Sequence, residues 1–259
     1  MLEDRHLVRL RATRFGDVRW FEDIGSTNDW LMDQARGGAA EGLVAVADHQ
    51  SQGRGRRDRR WVAPPGSSLL FSVLLRPELQ ASQLHLTAAA VSLSAAAACV
   101  DVAGVQPEVK WPNDLLVHDR KLAGVLSETL LGTEDSTPAV VVGMGVNVNW
   151  PPVLPAELAH LATALNREAG RDIDRADLLV ALLENLDDYS DDWSAVAHDY
   201  KSRCATVGRE VQVDLGERGR LSGTAVELTD EGLLVVEDDE GGRMTVSVGD
   251  VVHVRQADD

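Results

Sequence analysis

The sequence predicts an α+β fold: a mixed β-sheet flanked by helices, followed by a small, separate β-barrel. Three observations carry that prediction. Apolar runs of strand length alternate with helical stretches through about residue 204. One long Ala-rich segment, 84–105, has the length of a buried helix. From about residue 206 the pattern changes to closely spaced short β-type runs punctuated by Gly/Asp turns.

The elements follow in order. A first strand is read at 18-VRWFEDI-24. A helix near 27–37 follows, started by a Ser-Thr-Asn cap and stopped at Gly37-Gly38. Strand 43-LVAVADHQ-50 runs into an arginine-rich loop, and strand 68-SLLFSVLLRP-77 leads to the Ala-rich helix. That helix carries Thr87, Ser92 and Ser94 and meets Asp101 before twenty apolar residues accumulate, which favours a core helix over a membrane span. The segments 108-EVKWPNDLLV-117 and 121-KLAGVLSETLL-131 read as strands paired by a turn at His118-Asp119-Arg120. Strand 138-PAVVVGMGVNVNW-150 and helices over 155–169 and 174–202 complete the first part. Strands at 209–215, 220–229, 233–238 and 243–248 make the tail, with a boundary at 204–206.

Composition narrows the function. The chain has 259 residues and a formal net charge of −17, which opposes general nucleic-acid binding because that needs a positive face. The start, MLEDRHLVRLRAT, has no apolar signal-peptide core, so a cytoplasmic protein without a membrane anchor is expected. The two cysteines, Cys99 and Cys204, lack metal-like spacing and read as reduced structural thiols. The seven histidines form no i, i+4 pair, so no protein-ligated metal is assigned. Of the 25 basic residues only Lys110, Lys121 and Lys201 are lysines, and a scarce lysine can mark a site needing a compact ammonium.

Three motifs stand out. In 53-GRGRRDRRW-61, five arginines fall between residues 54 and 60. Alone, this fits either a solvated loop or an anion-binding loop, in which Gly53 and Gly55 admit backbone amides and Arg54 and Arg56 supply guanidinium forks. It is not a Walker loop. In 110-KWPND-114 a turn explains Pro-Asn-Asp but not the preceding Lys110 and Trp111. In 143-GMGVNVN-149, Gly143 and Gly145 weaken a strand unless something packs against its backbone, or mark a bulge; Asn147 and Asn149 share one face.

Together, 26-STN-28, 50-QSQGRGRR-57, 110-KWPNDLLV-117, 121-KLAGVLSE-128 and 143-GMGVNVN-149, in that order, resemble the biotin–protein ligases, also called biotin–acetyl-CoA-carboxylase ligases. The resemblance runs from about residue 18 to the C-terminus. It implies a class II synthetase-like catalytic domain over 1–204 and a small SH3-like barrel over 205–259. It also implies that biotin and ATP, with Mg²⁺ held largely by phosphates, give biotinyl-5′-adenylate, which acylates a lysine of a biotin carboxyl carrier protein.

Residue by residue, the resemblance puts Ser26, Thr27, Asn28, Gln50, Gly53, Arg54, Gly55, Arg56, Lys110 and Gly124 against biotin. It puts Arg54, Arg56, Trp111, Asn113, Lys121 and Asn147 against ATP or the adenylate, with Lys110 and Arg56 as catalytic residues. Ser, Thr, Asn and Gln supply the donors and acceptors that a ureido ring needs. Some relatives carry an N-terminal DNA-binding domain; the roughly 25 residues before Ser26 do not accommodate one, so a ligase without repressor function is expected, and a homodimer is allowed. A lipoate-type protein ligase is the competing activity. A biotin-binding homologue with impaired ligation is the competing class, motivated by Asp58. The family pattern GRGRRGR has glycine where this chain has GRGRRDR. If that position needs φ > 0, aspartate costs on the order of 1 kcal/mol and weakens loop ordering; the alternative is a surface pair with Arg57 or Arg60.

Overall fold

The structure is a computed structural model that describes residues 2–130, 138–152, 158, 160–216, 219–247 and 250–253. Seven strands form the first sheet: β1 (Asp17–Ile24), β2 (Leu43–Gln50), β3 (Ser68–Leu75), β4 (Glu108–Lys110), β5 (Asp114–Val117), β6 (Arg120–Leu130) and β7 (Ala139–Asn147). Their spatial order is β1-β2-β3-β7-β6-β5-β4. The β1–β2 pair is parallel and the other pairs are antiparallel, so the sheet is mixed.

Strand periodicity sorts the side chains onto two faces. Val44, Val46, Leu69, Phe71, Val73, Val140, Val142, Met144 and Val146 enter the larger core. Above that face lie α3 (Leu86–Ala103), α5 (Arg175–Tyr189) and α6 (Trp193–Arg203). The Ala-rich α3 is long and apolar enough to cross a membrane, yet most of it is buried in this core. Burial pushes the Cys99 thiol on α3 up to about 12, as suits a structural cysteine. Ala45, Leu74, Ala139 and Val141 point the other way, against Leu31 and Ala35 of α2 (Thr27–Arg36).

Three helical elements differ from expectation. A helix α1 (Asp4–Leu10) precedes β1, capped by Glu3 and His6. The helix expected over 155–169 is seen only as α4 (Leu165–Ala169); residues 153–157 and 159 lie outside the described residues. The helix expected over 174–202 is two helices, because Asp192 accepts from the Ser194 and Ala195 amides and caps a new start at α6. The strand expected over 108–117 is two strands, β4 and β5, and β5 pairs with β6 through the expected turn, where His118 and Asp119 both take positive φ (50° and 58°), as a two-residue turn of this twist requires.

The tail is a separate antiparallel sheet of β8 (Glu210–Asp214), β9 (Arg220–Leu228), β10 (Leu234–Glu237), β11 (Arg243–Val246) and β12 (Asp250–His253), ordered β11-β10-β9-β8-β12. The last strand was not expected. Trp111 joins the two units: it is buried, its amide donates to Thr206 Oγ1 (3.0 Å) and its indole N–H to Gly232 O (3.0 Å). Arg209 of the tail reaches Glu108 and Asp119 across the same seam.

Candidate active site

The parallel β1–β2 pair sets the position of the site. Both strands end on the same side, and the pairing continues past them through Ser51 N–H to Ile24 O and Gln52 N–H to Gly25 O. The start of α2 and the start of the arginine segment therefore leave the sheet as neighbours. Ser26 caps α2 by accepting from the Asp29 amide. Thr27 donates its amide to Gln50 Oε1 (2.8 Å), joining the two segments. These residues open onto a cavity of about 160 Å³.

The floor of the cavity is glycine. Along β7 the face that carries Ala139 and Val141 under α2 continues as Gly143 and Gly145. A Cβ at Gly143 would fall 1.9 Å from Asn28 Oδ1, so only glycine lets that amide lie on the strand. Asn28 is then held by Ser72 Oγ, which donates to its Oδ1 (2.6 Å), while its Nδ2 donates to Glu128 (2.9 Å). A Cβ at Gly145 would fall 2.4 Å from the Trp61 ring. The two glycines are one pleat apart, about 7 Å. The hydrogen-bonding set of Ser26, Thr27, Asn28 and Gln50 thus adjoins an aromatic and cationic set.

That second set contains Lys121. Its Nζ pairs with Asp114 (2.7 Å) and lies 5.6 Å from the centre of the Trp61 ring. Residues 121 and 124 would fall on opposite faces of a regular strand. A bulge opposite Leu115/Leu116 shifts the register, and a Cβ at Gly124 would meet Lys121 Nζ at 3.0 Å. Both therefore face the cavity.

The arginine segment is a hairpin. Gly55 N–H donates to Arg59 O, Arg59 N–H to Arg56 O, and Trp61 N–H to Gly53 O. At its tip Arg57 and Asp58 have φ of 53° and 58°, the left-handed pair that a type I′ turn needs. The condition stated for Asp58 is met: aspartate stands at positive φ where glycine fits best. Arg54 reaches Asp29 and grips Glu128 with both terminal nitrogens (2.9 and 3.1 Å). Arg56 donates to Asn113 Oδ1 (3.0 Å), whose Nδ2 donates to Val125 O. Arg57 leaves the hairpin for Asp214, and Arg60 turns to Ser51 O.

The cavity is lined by Ser26, Thr27, Asn28, Gln50, Arg54, Gly55, Arg56, Asn113, Lys121 and Gly124 among the residues expected there. Four expected residues do not line it. Lys110 is on the outer strand β4 and lies close enough to His253 of the tail to act on its charge. Trp111 is spent on the seam with the tail. Asn147 is buried and donates to Thr163 O (3.0 Å), anchoring the segment before α4. Gly53 closes the hairpin base, where a Cβ would fall 2.3 Å from Trp61 O.

Known proteins place the chain. The profile of the Biotin/lipoate A/B protein ligase family matches residues 20–147, and that of the Biotin protein ligase C terminal domain matches 206–254. A biotin–[acetyl-CoA-carboxylase] ligase of Mycobacterium tuberculosis is 36% identical over 241 residues, covering 89% of this chain and 86% of its own. The chain belongs to the biotin protein ligase family. The bifunctional ligase/repressor BirA of Bacillus subtilis is 31% identical, over 90% of this ligase and 73% of its own length. The biotin protein ligase of Aquifex aeolicus in complex with biotin and ATP superposes with a TM-score of 0.77 at 30% identity, covering 93% of this chain and all of that one.

Three features of the ligase's cavity were not read from the sequence. Trp61 covers the glycine floor, and its indole N–H is buried without a hydrogen-bond partner among the described residues. The signal available was a lone tryptophan directly after the arginines. Asp114 holds Lys121, and Glu128 holds both Asn28 and Arg54. Among the described residues, the cluster with metal-like geometry is His6, Asp174 and Asp177, away from this cavity. Both His6 nitrogens are already engaged there, by the Glu3 amide and by Asp177.

Proposed function

We propose that the ligase activates biotin with ATP as biotinyl-5′-adenylate and transfers it to a lysine of a biotin carboxyl carrier protein, that of acetyl-CoA carboxylase by analogy with its relatives. One observation carries this reading: a rigid donor–acceptor set sits one pleat from an ammonium and a guanidinium in the same cavity. A ureido ring suits Ser26, Thr27, Asn28 and Gln50. A carboxylate reaching along the glycine floor then arrives at Lys121.

In the first step a biotin carboxylate oxygen bonds to the α-phosphorus of ATP, and the bond to pyrophosphate breaks. Two anions must approach, so cations that bridge them lower the barrier. Lys121 takes this role in place of Lys110, because it is the lysine that lines the cavity. Arg56 stands at the same wall and holds the phosphate region. In the second step a neutral carrier lysine attacks the acyl carbon, a C–N bond forms and AMP leaves with the anhydride electrons. Mg²⁺ enters with ATP. The phosphates would supply most of its ligands.

The test is ATP–pyrophosphate exchange with biotin and with lipoate, followed by transfer to a carrier domain. Exchange with biotin and label on the carrier lysine is the expected result. Exchange with lipoate alone overturns the substrate, and biotin binding without exchange overturns the activity.

A further inference from the structure

The five arginines of the hairpin repel one another, and their partners come from separate parts of the chain. Arg54 is met by Asp29 on α2 and Glu128 on β6. Arg56 is met by Asn113 after β4. The tip is met from the other unit: Arg57 Nη2 donates to Asp214 O (2.7 Å), and its Nη1 stands 3.6 Å from Asp214 Oδ1. Asp214 is the last residue of β8, and its carboxylate accepts from the Gly216 amide (2.7 Å), which orients it toward the hairpin.

We propose that Asp214 is a positioning residue for the ligation reaction: from the C-terminal sheet it holds the tip of the arginine hairpin down over the cavity through Arg57. This rests on the adenylate reading above and gives the C-terminal unit a part in retaining the intermediate. The base of the hairpin is fixed by the sheet and by α2, but its tip carries two consecutive left-handed residues, Arg57 and Asp58. Such a turn has little intrinsic preference for this conformation when neither residue is glycine. An anchor outside the hairpin therefore decides how long the tip stays down. A charge-assisted hydrogen bond to a carbonyl is the stronger part of that anchor, and the exposed ion pair the weaker part.

The experiment uses the full chain with Arg57→Ala, Asp214→Lys and the exchanged pair Arg57→Glu/Asp214→Lys. Three quantities are read: dissociation of adenylate formed in place from biotin and ATP, trypsin cleavage of the hairpin without ligand, and the Tm. Arg57→Ala and Asp214→Lys are expected to release adenylate about three- to tenfold faster and to be cut faster, at an unchanged Tm. The exchanged pair is expected to recover only the weaker, ion-pair part of both losses, because a glutamate at position 57 cannot donate to the Asp214 carbonyl. Release and cleavage at the parent rates in both single variants would overturn the anchor, and an exchanged pair no better than Arg57→Ala would remove the ion pair from it. If the parent forms no adenylate, the functional reading fails, and the trypsin measurement still decides the anchor.

Discussion

The indole of Trp61 lies directly on the backbone of Gly145, so close that a Cβ there would sit 2.4 Å from the ring. Strand and ring share a surface that only glycine leaves open. Gly145→Ala is therefore expected to push Trp61 off the floor while the sheet survives. Biotin affinity by calorimetry should fall at least about tenfold, the usual scale of an overpacked contact. The Trp61 contribution to fluorescence, taken as a difference against Trp61→Phe, should shift with it. Unchanged affinity would mean the ring is not part of the ligand surface.

Gly143 makes the corresponding demand at the polar end. Gly143→Ala displaces Asn28 from the strand and strips Glu128 of one of its donors. Biotin binding should be lost with little change in circular dichroism. Asn28→Ala is expected to be milder, because it removes the amide without creating a clash.

Lys121 and Lys110 separate cleanly by measurement. Loss of a transition-state charge donor costs on the order of 10²–10³ in turnover, and Lys121→Ala should show a loss of that size in pyrophosphate exchange. Lys110→Ala should lose less than about tenfold, since its position is at the seam with the tail. The reverse order of effects would return the catalytic role to Lys110.

Asp58→Gly removes a side chain from a left-handed position. The hairpin should gain on the order of 1 kcal/mol, and the adenylate should dissociate correspondingly more slowly. An equal dissociation rate would show that the tip conformation does not limit release.

The seam should weaken in acid. Burial, with Lys110 and Arg209 nearby, lowers the His253 imidazole from 6.5 to about 4, and the ring lies 3.1 Å from Thr206 Oγ1. A group with a depressed folded pKa binds fewer protons in the fold than in the unfolded chain between those values. Its contribution is complete above pH 6.5 and is lost as pH falls toward 4. The Tm of the parent should fall more than that of His253→Asn between pH 7 and about 5; parallel curves would exclude the histidine.

Much of the site was legible because short-range chemistry encodes it. The Ser26 cap and the glycines of β7 were read from local rules and the Asp58 departure from the family pattern, and each has a geometric counterpart: an N-cap bond, two close contacts and a positive φ. What was not legible depends on register and docking. Lys110 and Lys121 are both scarce lysines near a turn, and only the bulge between β5 and β6 turns Lys121 toward Gly124. Asn147 and Asn149 do alternate with valines, yet their amides are taken by the carbonyls of Thr163 and Ile173. No spacing rule says where those carbonyls will dock. Trp61 escaped for the same reason, since its partner lies more than eighty residues away on β7.

The parallel β1–β2 pair carries a consequence for chain architecture. Because both strands finish at one end, α2 is a crossover whose return lies at 37–42, on the opposite end from the cavity. Every residue that α2 offers the ligand comes from its first turn. New termini could be opened between Gly37 and Gly42, with the old ones joined by a linker long enough to span them, and the order of β1, α2 and β2 in space would be untouched. The pocket is in this sense independent of where the polypeptide begins, and a permuted chain that still exchanges pyrophosphate would demonstrate it.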